Sequence, residues 1–593
     1  MRSYNIIDIE TYNKNSRFVP YCICIVLNNK EFSFYGDAVV EKFIEYMKKR
    51  RIKEVFYAHN LTFDGSILIE NIREKVNIKG ILFRSNIYEL KIWTDDFEII
   101  IKCSYKMFPL SLKKVGSLMK EGRGKTEFPH DFAKEENLYF IGEHPRNKKI
   151  RDWSFKEESI EYCINDCRIT KQMLDDISLN MENDEKSIFE KSRSISGFSL
   201  NIFKEKFNKM NVETSIKKKN DKIIRGGFFG GRCEVFGNKK EGERVFHFDF
   251  TGMYTQIMAG DFFFNNPKVK RTNKIEEGGF YKVDVFSEKM NIPVLPFREK
   301  KEGKLIFPNG RWTGFYWYEE LKLFEEEGGV ILKIHFKVEF EKKGRIFGEF
   351  VENYKKLRKK SEIDNVFWKL FINSIYGRLG MGENNERTVI VYDEEQYDRI
   401  REEEQIIRES IINKIKIVTF QKKNDSEEID SNVCIAAQIT SKARIKLYKA
   451  FKNVIKEGGR ILYTDTDSIF AAFKRDVRGE SHGEVYWDPD KKDTVVKDAI
   501  FALPKGYAII NEKNEEIIKI KGFRRNSIFF KEFKNLFLEN KEVKLKEINF
   551  KKANFSIKFE EIEKNIRLNS YDKRIFNKKK TETKPLIIDF IEN

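Results

Sequence analysis

Residues Arg460 to Phe470 read Arg-Ile-Leu-Tyr-Thr-Asp-Thr-Asp-Ser-Ile-Phe. Short apolar runs flank the carboxylates Asp465 and Asp467, a pattern that predicts a β-hairpin carrying both acids at its turn. Acids this close repel each other unless a cation lies between them. Taken alone, an Asp-x-Asp pair between strand-forming residues is usually a solvated turn, so the rest of the chain decides whether it holds a metal.

The composition favours a basic protein of several domains. The chain has 593 residues, and 112 Lys and Arg against 94 Asp and Glu give a formal net charge of +18. Such an excess favours a polyanionic partner, with nucleic acid the first candidate. The alternative is a compositional drift toward Lys, Asn, Ile and Phe, as an AT-rich genome would produce.

Cysteine usage and hydropathy predict a soluble protein of a reducing, intracellular compartment. The seven cysteines show no Cys-x-x-Cys spacing, which indicates neither a zinc site nor a disulfide framework. The N-terminus lacks the apolar core of a signal peptide, and no run of about 18 apolar residues occurs. We therefore expect no membrane segment.

Segments in the first third of the chain carry acids at spacings that suit a metal site. Asp8 and Glu10 share one face of a predicted strand, because side chains alternate along it. Asp64 follows a second apolar run, and Tyr162 and Asp166 lie one turn apart on a predicted helix. Four such acids would hold two divalent cations about 3.5 to 4 Å apart and activate a water for phosphodiester cleavage.

These segments resemble the three exonuclease motifs of proofreading DNA polymerases, written here as Asp8-x-Glu10, Asn60-x-x-Phe63-Asp64 and Tyr162-x-x-x-Asp166. The resemblance implies that the four acids are catalytic metal ligands. It also implies that Tyr162 orients the attacking water and that Asn60 and Phe63 bind single-stranded DNA.

Two shorter elements extend the resemblance. Ser111 and Leu112 open a Ser-Leu-Lys-Lys-Val segment that is similar to the family element contacting single-stranded DNA, although the start of a helix explains it equally well. Lys125 opens a Lys-Thr-Glu-Phe segment similar to the element whose lysine assists the nuclease.

A glycine-rich segment follows a polar, helix-like connector. Around Arg225, Gly226 and Gly227, four glycines would let the backbone approach a ligand and flanking arginines would neutralise phosphates. The segment is similar to the Tyr-x-Gly-Gly element of family B DNA polymerases, which joins the nuclease and polymerase halves and touches the template. Ile224 stands in place of the tyrosine, so an aromatic contribution would have to come from Phe228 or be absent.

Asp249 ends a predicted strand and precedes Phe-Thr-Gly-Met-Tyr254. The segment resembles motif A of family B polymerases, normally Asp-x-x-Ser-Leu-Tyr-Pro, from which Gly252, Met253 and Thr255 depart. The resemblance implies that Asp249 and the backbone carbonyl of Phe250 bind metal. Tyr254 would lie under the sugar of the incoming nucleotide and exclude a 2′-hydroxyl.

Lys369, Asn373 and Tyr376 are spaced i, i+4 and i+7, so a helix would align them on one face. Lys-x-x-x-Asn-Ser-x-Tyr-Gly resembles motif B of family B polymerases at every fixed position and implies nucleotide binding. The Asp465–Asp467 hairpin then takes the place of motif C. After it, Lys505 and Tyr507 resemble the Lys-x-Tyr element that holds the primer terminus.

The order of these motifs predicts an α/β and α+β multidomain protein, with a ribonuclease H-like exonuclease domain followed by a right-hand polymerase domain. The expected limits are 1–185 for the exonuclease, 186–235 for the connector and linker, and 236–593 for the polymerase. Within the polymerase we expect insertions at about 256–352 and 380–430, fingers at about 353–380 and a thumb at about 525–593. The segment 354–360 predicts a basic helix whose charges are either solvated or bind triphosphate, and Asp393 to Glu409 reads as helical.

The resemblance implies two Mg²⁺ ions per active site, for which Mn²⁺ is a substitute. Asp249 and Asp467 would bind the polymerase metals with Asp465 as electrostatic support, and Lys369 would face the triphosphate. The implied substrates are a DNA template with its primer and deoxynucleoside triphosphates. We expect the protein to be a monomer.

The absence of a large N-terminal extension, the glycine-rich linker and the two insertions resemble the protein-primed branch of small linear phages, adenoviruses and linear plasmids. In that branch the first insertion contacts a terminal protein whose hydroxyl replaces the primer, and the second encircles DNA for strand displacement. We expect the protein to be located in the host cytoplasm, or in the mitochondrion if a plasmid encodes it. The alternatives are a family B polymerase primed by nucleic acid, a protein that is chiefly a single-strand exonuclease, and a non-catalytic DNA-binding protein.

Overall fold

The computed structural model describes residues 3–72, 76–83, 86–119, 124–383, 386–391, 394–412, 415–421, 428–487, 495–553 and 556–592. Within these ranges, no helix is both long and apolar enough to cross a bilayer. The multidomain α/β and α+β architecture expected from the sequence is confirmed.

The N-terminal unit is a mixed sheet covered by helices on both faces. The strand β1 pairs with β2 in antiparallel and with β4 in parallel orientation, and β4 continues in parallel to β7. The elements in chain order are β1 Asn5–Lys14, β2 Arg17–Leu27, β3 Lys30–Tyr35, α1 Val39–Lys49, β4 Lys53–Ala58, α2 Leu61–Asn71, β5 Asn77–Phe83, β6 Asn86–Trp93, β7 Glu98–Cys103, α3 Ser104–Met107, α4 Leu112–Gly116, β8 Ile141–Gly142, β9 Trp153–Ser154 and α5 Phe155–Leu179.

The segment expected to be a connector is packed into the core. The buried side chains of Phe198 and Phe203 contact Phe371 and Phe347, with ring centroids 4.9 and 5.0 Å apart. These helices bury apolar faces against the polymerase half, and the connector limits at 186–235 stay a prediction. The elements are α6 Asn183–Lys191, α7 Ile195–Ile202, a π-turn Phe203–Phe207, β10 Ile216–Lys217 and α8 Lys218–Ile224.

A second sheet forms the base of the C-terminal half, in the order β11-β25-β26-β12-β29-β30-β31 with β27 and β28 at its side. Its long helix α14 packs across it and also contacts the first insertion. The elements are β11 Cys233–Val235, β12 Arg244–Phe250, α9 Met253–Met258, α14 Val433–Lys456, β25 Arg460–Asp465, β26 Ser468–Phe473, β27 Ser481–His482, β28 Val485–Trp487, β29 Val495–Leu503, β30 Gly506–Asn511 and β31 Glu516–Ile520.

The first insertion contributes four strands of a five-stranded sheet, and the last strand of the chain completes it. The strand β36 lies parallel to β18, with Ile588 opposite Gly310. The last strand of the predicted thumb therefore covers the edge of β18, and the thumb limit at about 525–593 stays a prediction. The elements are β13 Phe262–Phe264, β14 Lys268–Lys270, β15 Gly279–Ser287, β16 Phe297–Arg298, β17 Leu305–Ile306, β18 Asn309–Trp317, α10 Tyr318–Glu326, β19 Val330–Glu339, β20 Lys342–Gly344 and β36 Ile587–Phe590.

Two antiparallel helices stand at the predicted fingers. The basic segment does not begin a helix: α11 spans Gly348–Leu357, and α12 spans Glu362–Leu379 after the Ser361 side chain accepts a hydrogen bond from the backbone of Asp364. Tyr354 and Trp368 stack between them, with ring centroids 4.9 Å apart.

The second insertion extends the N-terminal sheet rather than standing apart. The strand β21 pairs with β5 through Thr388 and Leu82, and Ile390 is buried among the apolar side chains of the N-terminal unit. The helical expectation for Asp393 to Glu409 is only half correct, since a strand begins at Gln405, and Asp393 lies outside the described residues. The elements are β21 Glu386–Val391, α13 Glu394–Glu403, β22 Gln405–Ile412, β23 Ile415–Gln421 and β24 Glu428–Ile429.

The C-terminal region holds a helix and a long hairpin that returns to the N-terminal unit. The strand β33 contacts α2 and β2, so the predicted thumb touches the predicted nuclease. A bridge between Gly237 and Glu582 then ties the chain back to the second sheet. The elements are α15 Phe530–Leu538, β32 Glu542–Ala553, β33 Ser556–Arg567, β34 Arg574–Phe576 and β35 Thr583–Pro585.

A buried ion pair joins α14 to the first insertion. The Arg444 guanidinium donates to both carboxylate oxygens of Glu320, at 2.7 and 2.9 Å, and to the carbonyl of Phe229 at 2.7 Å. The two side chains are 3% and 2% exposed. The pair therefore fixes the insertion and the glycine-rich segment against the base of the C-terminal half.

Arg444→Met should destabilise the protein by about 3–5 kcal/mol, because it leaves the Glu320 carboxylate buried without its partner. Denaturant-induced unfolding would measure the loss. Lys449→Met changes an exposed residue on the same helix and should shift the free energy of unfolding by less than about 0.5 kcal/mol. Unfolding of Arg444→Met at the wild-type denaturant concentration would contradict a stabilising role for the pair.

Candidate active sites

The first site lies on the N-terminal sheet, where three elements bring together the four predicted acids. Asp8 and Glu10 lie on β1, Asp64 lies in the first turn of α2, and Asp166 lies on α5. The helix and strand positions predicted for them are confirmed. All four carboxylates influence one another electrostatically, which requires that their side chains converge.

Burial and mutual repulsion make these acids difficult to ionise. Burial first, and then Asp166, raise the pKa of Glu10 to about 8. Burial raises the pKa of Asp64 to about 7, and that of Asp8 well above its ordinary value. The Oδ1 atom of Asp166 is buried without a hydrogen-bond partner among the described residues. A divalent cation would satisfy this oxygen and relieve the repulsion, so the donor set fits Mg²⁺ or Mn²⁺.

Lys125 lies against the acids. Its ammonium donates to Asp166 Oδ2 at 2.5 Å and lies 5.0 Å from the ring centroid of Tyr162. The Tyr162 hydroxyl lies 3.3 Å from Nε2 of His130, and the Tyr162 ring stacks on Phe128. His130 was not selected from the sequence, because a single histidine five positions after Lys125 does not by itself indicate a functional residue.

The residues predicted to contact single-stranded DNA have different environments in the structure. Asn60 precedes α2 in a left-handed conformation, with φ of 72°, and Phe63 packs on Phe18 with ring centroids 5.1 Å apart. The Ser111 hydroxyl accepts a hydrogen bond from the backbone N–H of Lys114 and so caps α4. Leu112 is buried in the core. The helix-start interpretation therefore holds for Ser111 and Leu112, and DNA contact stays a prediction.

The second site lies at the end of the C-terminal sheet. Asp249 ends β12 opposite Ser468, and the backbone N–H of Phe250 donates to the carbonyl of Asp467 at 3.0 Å. Asp465 and Asp467 flank the turn of the β25–β26 hairpin, where Thr466 adopts φ of 67°. The predicted hairpin is confirmed, and pairing of β12 with β26 brings the acids of motifs A and C to the same edge.

Basic residues of the predicted fingers and the acid Asp249 line a cleft of about 760 Å³. Asp249, Phe250 and Lys369 line it, together with Lys355 and Arg358. Burial raises the pKa of Asp467, and the charge of Lys369 opposes that shift. Lys355 and Arg358 were not selected from the sequence, although both lie in the basic segment for which triphosphate binding was one interpretation.

The predicted nucleotide-binding residues meet beside this cleft. Tyr254 on α9 and Tyr376 on α12 stack, with ring centroids 4.7 Å apart and an interplanar angle of 2°. The Thr255 hydroxyl donates to the amide oxygen of Asn373 at 3.2 Å. The two helices thus present a flat aromatic surface next to the acids.

Arg225 pairs within the protein. Its guanidinium donates to both oxygens of Asp221, at 2.7 and 2.6 Å, and to the carbonyls of Gly380 and Met381 at 3.1 Å. These donors hold the loop after α12, and neutralisation of phosphate by Arg225 stays a prediction. The ring of Phe228 packs against Gly380 and is half-buried, so its aromatic contact with a template stays a prediction.

The glycines have different environments. A Cβ on Gly227 would lie 2.9 Å from the carbonyl oxygen of Phe315, so packing on the insertion demands glycine there. Gly226 has only one atom within 4 Å of such a Cβ, at 3.9 Å, and its backbone stays open to a ligand. A Cβ on Gly231 would lie 2.7 Å from Thr466, which fits this segment tightly against the turn of motif C.

The predicted primer-binding pair lies beside motif C. The Lys505 ammonium lies 3.9 Å from Asp465 Oδ1, and its backbone N–H donates to the Tyr463 hydroxyl at 2.9 Å. Tyr507 is only 5% exposed and packs among the rings of the sheet, while Lys519 donates to its hydroxyl at 2.5 Å. Lys505 is thus open to a ligand, and Tyr507 is mainly a core residue.

The family model for DNA polymerase type B, organellar and viral, matches residues 45–457. The chain belongs to this family. Among its relatives, a probable DNA polymerase of Ascobolus immersus is 23% identical over 596 residues, covering 91% of this chain and 48% of its own length. The DNA-directed DNA polymerase of Enterobacteria phage PRD1 is 23% identical over 475 residues, covering 77% of this chain and 74% of its own.

This family B chain has the fold of a solved relative. Phi29 DNA polymerase, in complex with primer-template DNA and incoming nucleotide substrates, superposes with a TM-score of 0.68 at 16% identity, covering 96% of this chain and 100% of that chain. The likeness confirms the expected fold of an exonuclease followed by a right-hand polymerase. The chain spans about half the length of the first curated relatives it matches.

Proposed function

We propose that this chain is a DNA-directed DNA polymerase with a 3′ to 5′ proofreading exonuclease, and that it starts synthesis on a terminal protein. The observation that carries the proposal is the presence of two separate acid centres on one chain. One is the four-acid cluster on β1, α2 and α5, and the other joins β12 to the β25–β26 hairpin beneath a basic cleft.

In the polymerase site, Asp249, Asp467 and the carbonyl of Phe250 would hold two Mg²⁺ ions. When bound, these ions lower the pKa of the primer hydroxyl and neutralise the leaving pyrophosphate. Lys369 and the two neighbouring basic residues of the cleft bind the triphosphate oxygens. Each then offsets negative charge where it develops during transfer.

The stacked pair Tyr254 and Tyr376 supplies the floor for the incoming sugar. Tyr254 is buried, so its ring has little freedom to move away from a 2′-hydroxyl. Asn373 is oriented by Thr255 and completes the wall of this pocket. The pocket therefore selects deoxynucleotides by shape.

In the nuclease site, Asp8, Glu10, Asp64 and Asp166 would hold two divalent cations that activate a water and stabilise the leaving oxygen. Tyr162 orients that water, and Lys125 limits the excess negative charge when no metal is bound. The short ion pair between Lys125 and Asp166 supports this role.

Protein priming is supported by the relatives and by the two insertions. The chain is related to the DNA polymerase of phage PRD1 and has the fold of Phi29 DNA polymerase, and both likenesses to phage enzymes fit the branch of small linear phages. The first insertion forms a separate sheet, which a terminal protein would contact. The second insertion joins the nuclease sheet, and the thumb hairpin contacts the same unit, an arrangement that suits enclosure of DNA and strand displacement.

Primer extension with labelled deoxynucleotides, with and without Mg²⁺, tests the activity. A polymerase extends the primer only with metal, a protein that is chiefly a nuclease only shortens it, and a non-catalytic DNA-binding protein does neither. Extension from nucleic-acid primers together with metal-dependent attachment of the first nucleotide to a terminal protein would support protein priming. A strict requirement for a nucleic-acid primer would refute protein priming and leave the polymerase assignment standing.

We propose that the enzyme is a monomer located in the host cytoplasm or mitochondrion.

Without metal, we expect the protein to lose stability progressively as the pH rises from about 4 to about 8. The pKa values of Asp64 and Glu10 lie near 7 and 8 in the folded chain, against ordinary values of 3.8 and 4.5. The folded state therefore holds more protons than the unfolded state in this window, and raising the pH removes that advantage. Mg²⁺ should raise the melting temperature more at about pH 8.5 than at about pH 6. Equal shifts at both pH values would contradict the coupled-acid site.

A further inference from the structure

Three cysteine thiols lie directly behind the acids of the nuclease site. The Sγ atoms of Cys22, Cys24 and Cys163 all lie within 4.8 Å of one another, and the three side chains are fully buried. The sequence indicated no zinc site, because two of these residues are separated by a single position and the third lies far along the chain. The fold alone assembles them.

Register and packing explain how the thiols meet. In the antiparallel pair of β1 and β2, Cys24 lies opposite Asp8 and Cys22 lies opposite Glu10. Residues directly opposite in such a pair point to the same face of the sheet. The helix α5 covers that face and contributes Cys163. Thiols and carboxylates therefore share one buried layer.

The distances suit a tetrahedral cation. With zinc–sulfur bonds of about 2.3 Å, tetrahedral geometry places two sulfurs about 3.8 Å apart. Cys22 Sγ and Cys24 Sγ lie 3.8 Å apart. Cys163 Sγ also lies 3.6 Å from Asp8 Oδ2, which is close to the separation of about 3.5 Å between a sulfur and an oxygen on one zinc ion.

We propose that Cys22, Cys24 and Cys163 form a binding site for one thiophilic divalent cation of the Zn²⁺ class, with the Asp8 carboxylate as the nearest fourth donor. Binding is a ligand exchange without a redox step. Each thiol that binds the cation loses its proton to solvent, so up to three protons are released. Because Cys163 also lies within 4.8 Å of Asp8 and Glu10, an occupied site would compete with the nuclease metals for Asp8. This assignment goes beyond the proposed function and does not require it.

Cobalt titration of the full chain tests the site, with Co²⁺ as the probe, under a phosphine reductant and with saturating Mg²⁺. We expect one Co²⁺ per chain with a near-ultraviolet thiolate charge-transfer band and the visible bands of a tetrahedral centre, displaced by one equivalent of Zn²⁺. Cys24→Ser and Cys163→Ser should abolish the band. Asp8→Asn should retain it, because the thiols still hold the cation.

Cys167→Ser is the matched control. Cys167 is equally buried, one turn further along α5, and its thiol donates to the backbone carbonyl of Cys24 instead of joining the cluster. This variant should bind Co²⁺ as the wild type does. Absence of a thiolate band in the wild type, or a band that survives in Cys163→Ser, would overturn the proposal. Unchanged primer extension in the three cysteine variants, Cys24→Ser, Cys163→Ser and Cys167→Ser, confirms that each of them is folded.

Discussion

Asp467→Asn should lower primer extension by about 10³-fold or more while leaving single-strand degradation unchanged. The substitution keeps the size of the side chain but removes the charge that would hold the metals beside Asp249, and a loss of about 4 kcal/mol of transition-state stabilisation corresponds to that factor. The hairpin should persist, because the hydrogen bond from Phe250 to residue 467 involves only backbone atoms. Steady-state incorporation and exonuclease rates on the same preparation measure both effects.

The matched control for Asp467 is Asp476→Asn, which changes an acid just beyond the end of β26. Asp476 pairs with Arg478 and Arg244 rather than lining the cleft. Extension by this variant should stay within about twofold of the wild type, as for surface substitutions that change stability by less than about 0.5 kcal/mol. If Asp467→Asn extended primers at the normal rate, the assignment of the polymerase site would fail.

Asp8→Asn combined with Asp64→Asn should abolish degradation of single strands and spare extension. Two of the four carboxylates are then neutral, and the remaining pair cannot hold two cations. The same change removes buried charge repulsion, so the metal-free double variant should melt at a higher temperature than the wild type above about pH 8. Digestion of a labelled oligonucleotide and thermal unfolding in a chelator give the two readouts.

Asp131→Asn serves as the control for the double variant, because Asp131 is an exposed acid of the same unit that pairs with Arg146. Degradation and melting temperature should both match the wild type. A double variant that still shortened single strands would refute the nuclease assignment. A double variant that lost both activities would indicate that the shared core, rather than the acid cluster, had been damaged.

The sequence predicted the strand and helix positions of the motif residues correctly, because these positions depend on the backbone geometry of a single element. Alternation along β1 gives Asp8 and Glu10 a common face, and the helical repeat of α12 aligns Lys369, Asn373 and Tyr376. Both patterns follow from backbone geometry within one element. Contacts were not predicted where a residue's partner lies in another element, as with Arg225, whose hydrogen bonds to Asp221 and to the loop after α12 could not be read from its glycine-rich surroundings.

Two strand pairings could not be predicted from the sequence for a related physical reason. A strand edge accepts any strand of suitable register, however distant in sequence. The edge of β18 is therefore completed by β36, and the edge of β5 by β21, so two segments pair with strands that are far from them in the chain. The sequence around a loop or an insertion does not indicate which distant strand will pair with a sheet edge.

The sequence by itself determined the two acid sets, the order of the nuclease and polymerase halves and the helix of motif B, because these depend on residue type and short-range periodicity. Only the tertiary structure decided that Asp249 lies beside the Asp465–Asp467 hairpin, that Lys355 and Arg358 line a cleft with Asp249, and that Cys22, Cys24 and Cys163 gather behind Asp8. Strand pairing and helix packing bring together side chains that are far apart in sequence. Taken alone, the hairpin at Asp465 and Asp467 would be a solvated turn. Its pairing with β12 brings these acids to the edge that carries Asp249 and makes the hairpin part of a candidate active site.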